Sequence, residues 1–178
     1  MEINPILNPT ALSIFEQFFY TGLNRLQTTQ IIKKTGYDFK TVKKYLADFS
    51  KLGLVKSYDD LKTPTYGANY TNKYYLMTKR NALVDELFLS GLPEALKTKL
   101  GDTAVILFGS CARGDYYEDS DIDLFIQAKK QSLNLTSFEK RLKRKINVLF
   151  EERWQNLNEG MQTGLLNDGV AINGRLKL

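Results

Sequence analysis

The sequence predicts an α/β chain of the α+β kind, in which short helices closed by a hairpin precede a mixed β-sheet with flanking helices. Three observations carry this. Amphipathic stretches, each ended by a glycine, fill the first third of the chain. Four short runs rich in β-branched or aromatic residues, VILF, IDLFI, INVLF and GVAI, alternate with helical stretches in the second half. Gly91-Leu92-Pro93 interrupts the pattern between the halves and sets expected domains of 1–90 and 91–178.

In the first half, Asn8-Pro9-Thr10 caps a helix through ALSIFEQFFYTGL, with Leu12, Phe15, Phe18 and Phe19 on its apolar face. Leu26–Lys34 forms a second helix that stops at Gly36. Asp38 then caps a third, which carries Val42, Leu46 and Phe49 inward and ends at Gly53. Two short helices across a glycine-containing turn predict a helix-turn-helix. Leu54–Ser57 and Lys73–Met77 are expected to pair as a hairpin around a long polar tip with Pro64, Gly67 and Asn69. Three helices and such a two-stranded wing resemble a winged helix domain.

Lys33 to Lys56 holds seven lysines against Asp38 and Asp48, so much of the formal net charge of +5 gathers there. Lys40, Lys43, Lys44 and Lys51 lie off the apolar face of the third helix. They form either a solvated face or a contact surface for the phosphates of DNA. With no Arg on this helix for bidentate reading of guanine, strong sequence specificity is not expected from it. Tyr66, Tyr70, Tyr74 and Tyr75 are available to stack on bases or to alternate between core and solvent.

In the second half, Asn81–Ser90 is a connecting helix and Pro93 opens another, leading to the strand Val105–Phe108. After a polar loop come a helix over Phe138–Lys145, a strand at Ile146–Phe150, a helix through Trp154, Leu157 and Met161, and a last strand at Gly169–Ile172. The KRLKRK run, with Lys140, Arg141, Lys143, Arg144 and Lys145, is either a solvated face or an attractor for triphosphate or nucleic acid.

Composition narrows the chemistry. With 178 residues and 43% apolar content the chain can bury a substantial core. No apolar window is long enough to span a membrane, and MEINPILNP lacks the basic-then-apolar order of a signal peptide, so a soluble, cytoplasmic protein is expected. The lone Cys111 excludes an intramolecular disulfide and reads as a small filler. The absence of histidine excludes His triads, His metal ligands and a histidine base, leaving carboxylates and metal for any catalysis.

The chemistry concentrates in VILFGSCARGDYYEDSDIDLFI, Val105–Ile126. Gly109 and Ser110 turn the chain from a buried strand into a helix start, a corner suited to phosphate. Asp121 and Asp123, two apart on a strand, share one face while Ile122 and Leu124 point into the core. Two carboxylates roughly 5 Å apart repel by about 3 kcal/mol at an effective dielectric of 20, a penalty that a shared cation removes. Hard oxygen ligands favour Mg²⁺ or Mn²⁺ together with substrate phosphates.

Gly109, Ser110, Ala112, Arg113, Gly114, Asp115, Ser120, Asp121, Ile122, Asp123 and Leu124 resemble the GSxARGD…SDIDL signature of minimal nucleotidyltransferases in the DNA polymerase beta superfamily. The resemblance covers roughly Leu92–Leu178. It implies a mixed-sheet nucleotidyltransferase core in which Gly109 and Ser110 bind NTP phosphates, ATP among them, and Asp121 and Asp123 hold two metals. Arg113 either holds the corner through Asp115 or neutralises phosphate. Some such proteins are antitoxins that modify a HEPN partner protein, which here would act in trans; others modify nucleic acids or antibiotics. A homodimer is compatible with the sequence.

The family usually carries a third aspartate on the strand after the basic helix, and here Asn147 stands at that position. Asn offers a carbonyl oxygen but adds no charge and takes no proton. Glu151 has the same parity but sits about 13 Å further along a continuing strand. Two functions follow as expectations: transfer of a nucleoside monophosphate from a metal–NTP complex to an acceptor hydroxyl, or DNA-binding regulation by a chain whose nucleotide site is catalytically impaired.

Overall fold

The computed structural model describes residues 8–59 and 62–178, in two compact units, Met1–Lys79 and Arg80–Leu178. Residues 1–7, read above for targeting signals, and residues 60–61 in the expected hairpin tip lie outside the described residues.

The first unit contains α1 (Pro9–Glu16), β1 (Leu26–Gln27), α2 (Thr28–Thr35), α3 (Phe39–Lys51), β2 (Val55–Tyr58), β3 (Thr65–Ala68) and the start of α4 (Lys73–Ser90). Asn8 Oδ1 accepts from the Thr10 and Ala11 N–H groups and caps α1. Asp38 Oδ1 accepts from Thr41 N–H, and the Thr41 hydroxyl donates to Asp38 Oδ2. That side-chain hydrogen bond, then the backbone one, holds the Asp38 carboxyl below its ordinary value. Val42, Leu46 and Phe49 are fully buried, as their spacing requires. Phe15 packs against Phe49, Phe19 and Tyr75 with ring centroids 5.1, 5.3 and 5.5 Å apart. Each such pair adds about 0.5–1.5 kcal/mol beyond the area it buries.

Two expectations for this unit are corrected. Leu26 does not open a helix; it pairs with Tyr66 as an edge strand, giving the antiparallel order β1-β3-β2, and α2 begins at Thr28. The partner of Val55–Tyr58 is Thr65–Ala68, in register Val55↔Ala68 to Tyr58↔Thr65. Lys73–Met77 is the first turn of α4, not a strand. Asn72 Oδ1 accepts from the Tyr74 and Tyr75 N–H groups at 2.9 and 3.0 Å, which caps a helix. Tyr75, Lys79, Leu83 and Leu87, spaced by four, are all buried, the period of a helix face.

The second unit continues from α4 through α5 (Leu92–Leu100), β4 (Val105–Phe108), α6 (Gly109–Arg113), β5 (Ile122–Ile126), α7 (Thr136–Leu142), β6 (Ile146–Phe150), a 3₁₀ turn at Trp154–Asn156, α8 (Glu159–Asn167) and β7 (Val170–Asn173). The sheet order is β6-β5-β4-β7; β5 and β6 run parallel and the other pairs antiparallel. Alternation divides its faces. Val105, Leu107, Ile122, Leu124 and Ile126 meet Leu83, Leu87, Leu92, Leu96 and Leu142 from the helices. On the other face Ile106 and Phe125 meet Trp154 and Leu165. Helix α7 ends at Leu142, shorter than expected, because Lys143 takes the left-handed conformation (φ 53°) and turns the chain into β6.

Candidate functional site

The register of β4, β5 and β6 lines up Phe108, Asp123 and Asn147 across the sheet. On the same face the adjacent row, Ile106, Phe125 and Leu149, is apolar. The polar cluster therefore sits at one end of a packed surface, where β4 stops and β5 and β6 begin. Asp121 precedes β5 by one residue and Asp123 lies within it, so both carboxylates reach the same face while Ile122 and Leu124 are fully buried.

Asn147 closes the group. Its Nδ2 donates to Asp121 Oδ2 and to Asp123 Oδ1, each at 3.1 Å. One amide nitrogen thus spans both carboxylates and offsets part of their mutual repulsion. Because Asn147 and Asp121 are exposed, water competes for both bonds.

Gly109 supplies the room. At φ +72° it adopts a backbone that side chains disfavour, and a Cβ placed on it would lie 2.7 Å from Asp123 Oδ2. Ser110 does not cap α6 through its side chain; Phe108 occupies the cap position without a side-chain bond. The Ser110 carbonyl instead accepts from the Gly114 and Asp115 N–H groups and tightens the turn that follows. Cys111 is fully buried, and its Sγ donates to the Asp121 carbonyl at 3.2 Å, so this thiol tethers the residue before β5. Arg113 Nε meets Asp115 Oδ2 at 3.1 Å, with both side chains half-exposed.

The basic run divides by position. Lys140, Lys143 and Lys145 are exposed, and Lys145 lies 3.9 Å from Glu139. Arg144 is buried; its Nη1 donates to the Tyr117 and Ser120 carbonyls at 2.8 and 2.6 Å, and its guanidinium lies over the Tyr116 ring. The alternatives of solvated face or attractor do not describe Arg144. It fixes the loop that delivers Asp121, a role hidden from the sequence because only the fold brings residue 144 beside residue 120. Glu151 is not a substitute third carboxylate: Oε1 accepts from the Arg153 N–H and the Asn156 amide beyond the end of β6. The Arg153 bond is the main reason its carboxyl lies below the ordinary value.

Among the described residues no group of three or more Cys, Asp or Glu side chains is arranged to hold a metal. The donor set that converges is Asp121 and Asp123 with the Asn147 amide. The two carboxylates suit a hard divalent cation completed by ligand phosphates, whereas the Asn147 group that faces them is its Nδ2, a hydrogen-bond donor and not a metal ligand. A cleft lined by Leu135, Ile146, Val148 and Phe150 opens on the opposite face of β6, away from the carboxylates.

In the first unit, Lys40, Lys43, Lys44 and Lys51 are exposed on α3 opposite its buried face, and Lys33 and Lys34 are exposed at the end of α2. The exposed Phe39 ring lies beneath Lys43 Nζ. Tyr66 and Tyr75 are buried, so neither is available to stack on a base. Among the described residues no helix is long and apolar enough to cross a membrane.

Residues 89–158, which include the whole cluster from Gly109 to Asn147, match the family model described as nucleotidyltransferase domain. This supports the superfamily resemblance drawn from the GSxARGD…SDIDL residues. No curated protein matches the chain. Among solved structures, a mutant form of the toxin-antitoxin MntA-HpeT is similar at 14% identity and a TM-score of 0.35, over 54% of this chain and 73% of that one.

Proposed function

We propose that the second unit binds an NTP with Mg²⁺ or Mn²⁺ and transfers its nucleoside monophosphate to an acceptor hydroxyl, releasing pyrophosphate, at a rate held low by Asn147. The observation that carries this reading is the convergence of Asp121, Asp123 and Asn147 beside the Gly109 corner, within a segment that matches the nucleotidyltransferase model. Asp121 and Asp123 would hold the cation. A half-turn of the Asn147 amide would offer its oxygen instead of its nitrogen. When bound, the cation would neutralise phosphate charge and orient the nucleotide.

The remaining steps belong to the chain itself. Gly109 and Ser110, at the close approach of α6 to β5, would receive the phosphates. Arg113 holds Asp115 and so steadies the corner. Asn147 cannot accept the proton of the attacking hydroxyl, whereas a carboxylate there could; general base assistance is typically worth 10²- to 10⁴-fold. The acceptor is proposed to come in trans, on a HEPN-type partner protein, as the sequence resemblance implies.

A second reading has its own observation, the lysine surface of α2 and α3. In it the first unit is a winged helix-turn-helix that contacts DNA phosphates, and the second unit binds nucleotide as a sensor with little turnover. The experiment that separates the two is incubation of the full chain with Mg²⁺ and α-labelled NTPs, alone, with nucleic acid and with cell lysate. Label transferred to one fraction, and lost in the Asp121→Asn/Asp123→Asn double variant, supports the transferase. Nucleotide binding with no transfer in any arm supports the sensor.

A further inference from the structure

We infer that this site takes one divalent cation with its nucleotide rather than two, and that Asn147 sets the number. The inference rests on the reading of Asp121 and Asp123 as the metal–nucleotide ligands and adds a stoichiometry to it.

Asn147 is level with Asp123 in the parallel register, and its amide lies within hydrogen-bond distance of both carboxylates. A third ligand position on β6 therefore exists and reaches both aspartates, but what it offers is neutral. Two-metal sites hold their ions about 3.5–4 Å apart, and such close positive charges depend on anionic ligands shared between them. Counted from the protein alone, two carboxylates offset two of the four charges of a metal pair, the other anionic oxygens being those of the nucleotide phosphates, and a cation held by Asp121 and Asp123 would draw on both carboxylates. An amide oxygen coordinates a hard cation but compensates none of its charge.

Among the described residues no third carboxylate groups with Asp121 and Asp123 to make up the deficit. Glu151 is occupied by the Arg153 N–H and the Asn156 amide, and Asp115 meets Arg113 through Oδ2 while its Oδ1 is buried. A second cation would therefore find no further protein carboxylate to hold it among the described residues.

The test is a count of Mn²⁺ bound to the full chain in the presence of a non-hydrolysable α,β-methylene ATP analogue, read from the free Mn²⁺ signal in electron paramagnetic resonance. One ion per chain is expected in the unsubstituted protein and two in Asn147→Asp, the second binding at least tenfold more tightly than any second ion in the parent. Asn147→Ala, which adds no charge, retains one and so separates a charge effect from a packing effect. Two tightly bound ions in the unsubstituted protein would overturn the inference while leaving the metal–nucleotide reading standing. A single ion in a folded Asn147→Asp protein, with folding checked by its thermal unfolding curve, would overturn it too. If no Mn²⁺ binds with the analogue, the metal–nucleotide reading falls first and the stoichiometry with it. Should Asn147→Asp fail to fold, the count in the unsubstituted protein decides.

Discussion

Asn147 and Asp123 are register partners on the parallel strands β6 and β5, and the Asn147 amide nitrogen lies 3.1 Å from Asp123 Oδ1. The same nitrogen lies 3.1 Å from Asp121 Oδ2, so a neutral donor spans the two carboxylates of the cluster. The aspartates are thus satisfied by a group that neither ionises nor accepts a proton. On the proposed function, that would separate nucleotide binding from turnover.

Gly109→Ala tests the close approach. The left-handed backbone alone costs roughly 1–2 kcal/mol for a residue with a Cβ, and the new methyl would press on Asp123 Oδ2. We expect urea unfolding to show a loss of at least that size, with metal-dependent NTP binding lost in the folded fraction. An unfolding midpoint equal to the parent would refute the conformational requirement.

Arg144→Ala tests the loop anchor. Hydrogen bonds to a charged donor contribute about 1.5–3 kcal/mol each, and Arg144 makes two to the carbonyls of 117 and 120 while covering Tyr116. A destabilisation of about 2–4 kcal/mol is expected, with weakened NTP binding because Asp121 loses its fixed approach. Lys140→Ala, on the exposed side of the same basic run, should stay within about 0.5 kcal/mol of the parent. Equal effects of the two substitutions would contradict the division of the run.

If Lys40, Lys43 and Lys44 meet DNA phosphates, affinity falls steeply with salt, since exposed amines supply the attraction. Replacing all three by Ala should flatten the plot of log affinity against log salt by about one unit for each phosphate contact removed. An unchanged slope would assign this surface to solvent.

Much of the second unit was legible because its signals are local. Val105–Phe108 and Ile146–Phe150 read as strands from β-branched and apolar content, and the parity of Asp121, Asp123 and Asn147 follows from strand geometry. Most of what escaped was set at a distance, although the Asn72 cap directly before Lys73 is a local signal. Lys73–Met77 carries strand-favouring tyrosines, yet the Asn72 cap and burial of Tyr75 against Phe15 make it helical. Leu26 was drawn from a helix into a strand by pairing with Tyr66, forty residues away in sequence. Arg144 looked like one more surface cation because nothing in KRLKRK marks which side chain will turn inward.

On the proposed function, Asn147 limits turnover and not nucleotide binding. The most direct measurement compares Asn147→Asp with the unsubstituted chain, following both the rate of α-label transfer and NTP affinity with Mg²⁺ by calorimetry. We predict a rate at least tenfold higher in Asn147→Asp with little change in affinity. Robust transfer by the unsubstituted protein, not raised by the substitution, would contradict the claim.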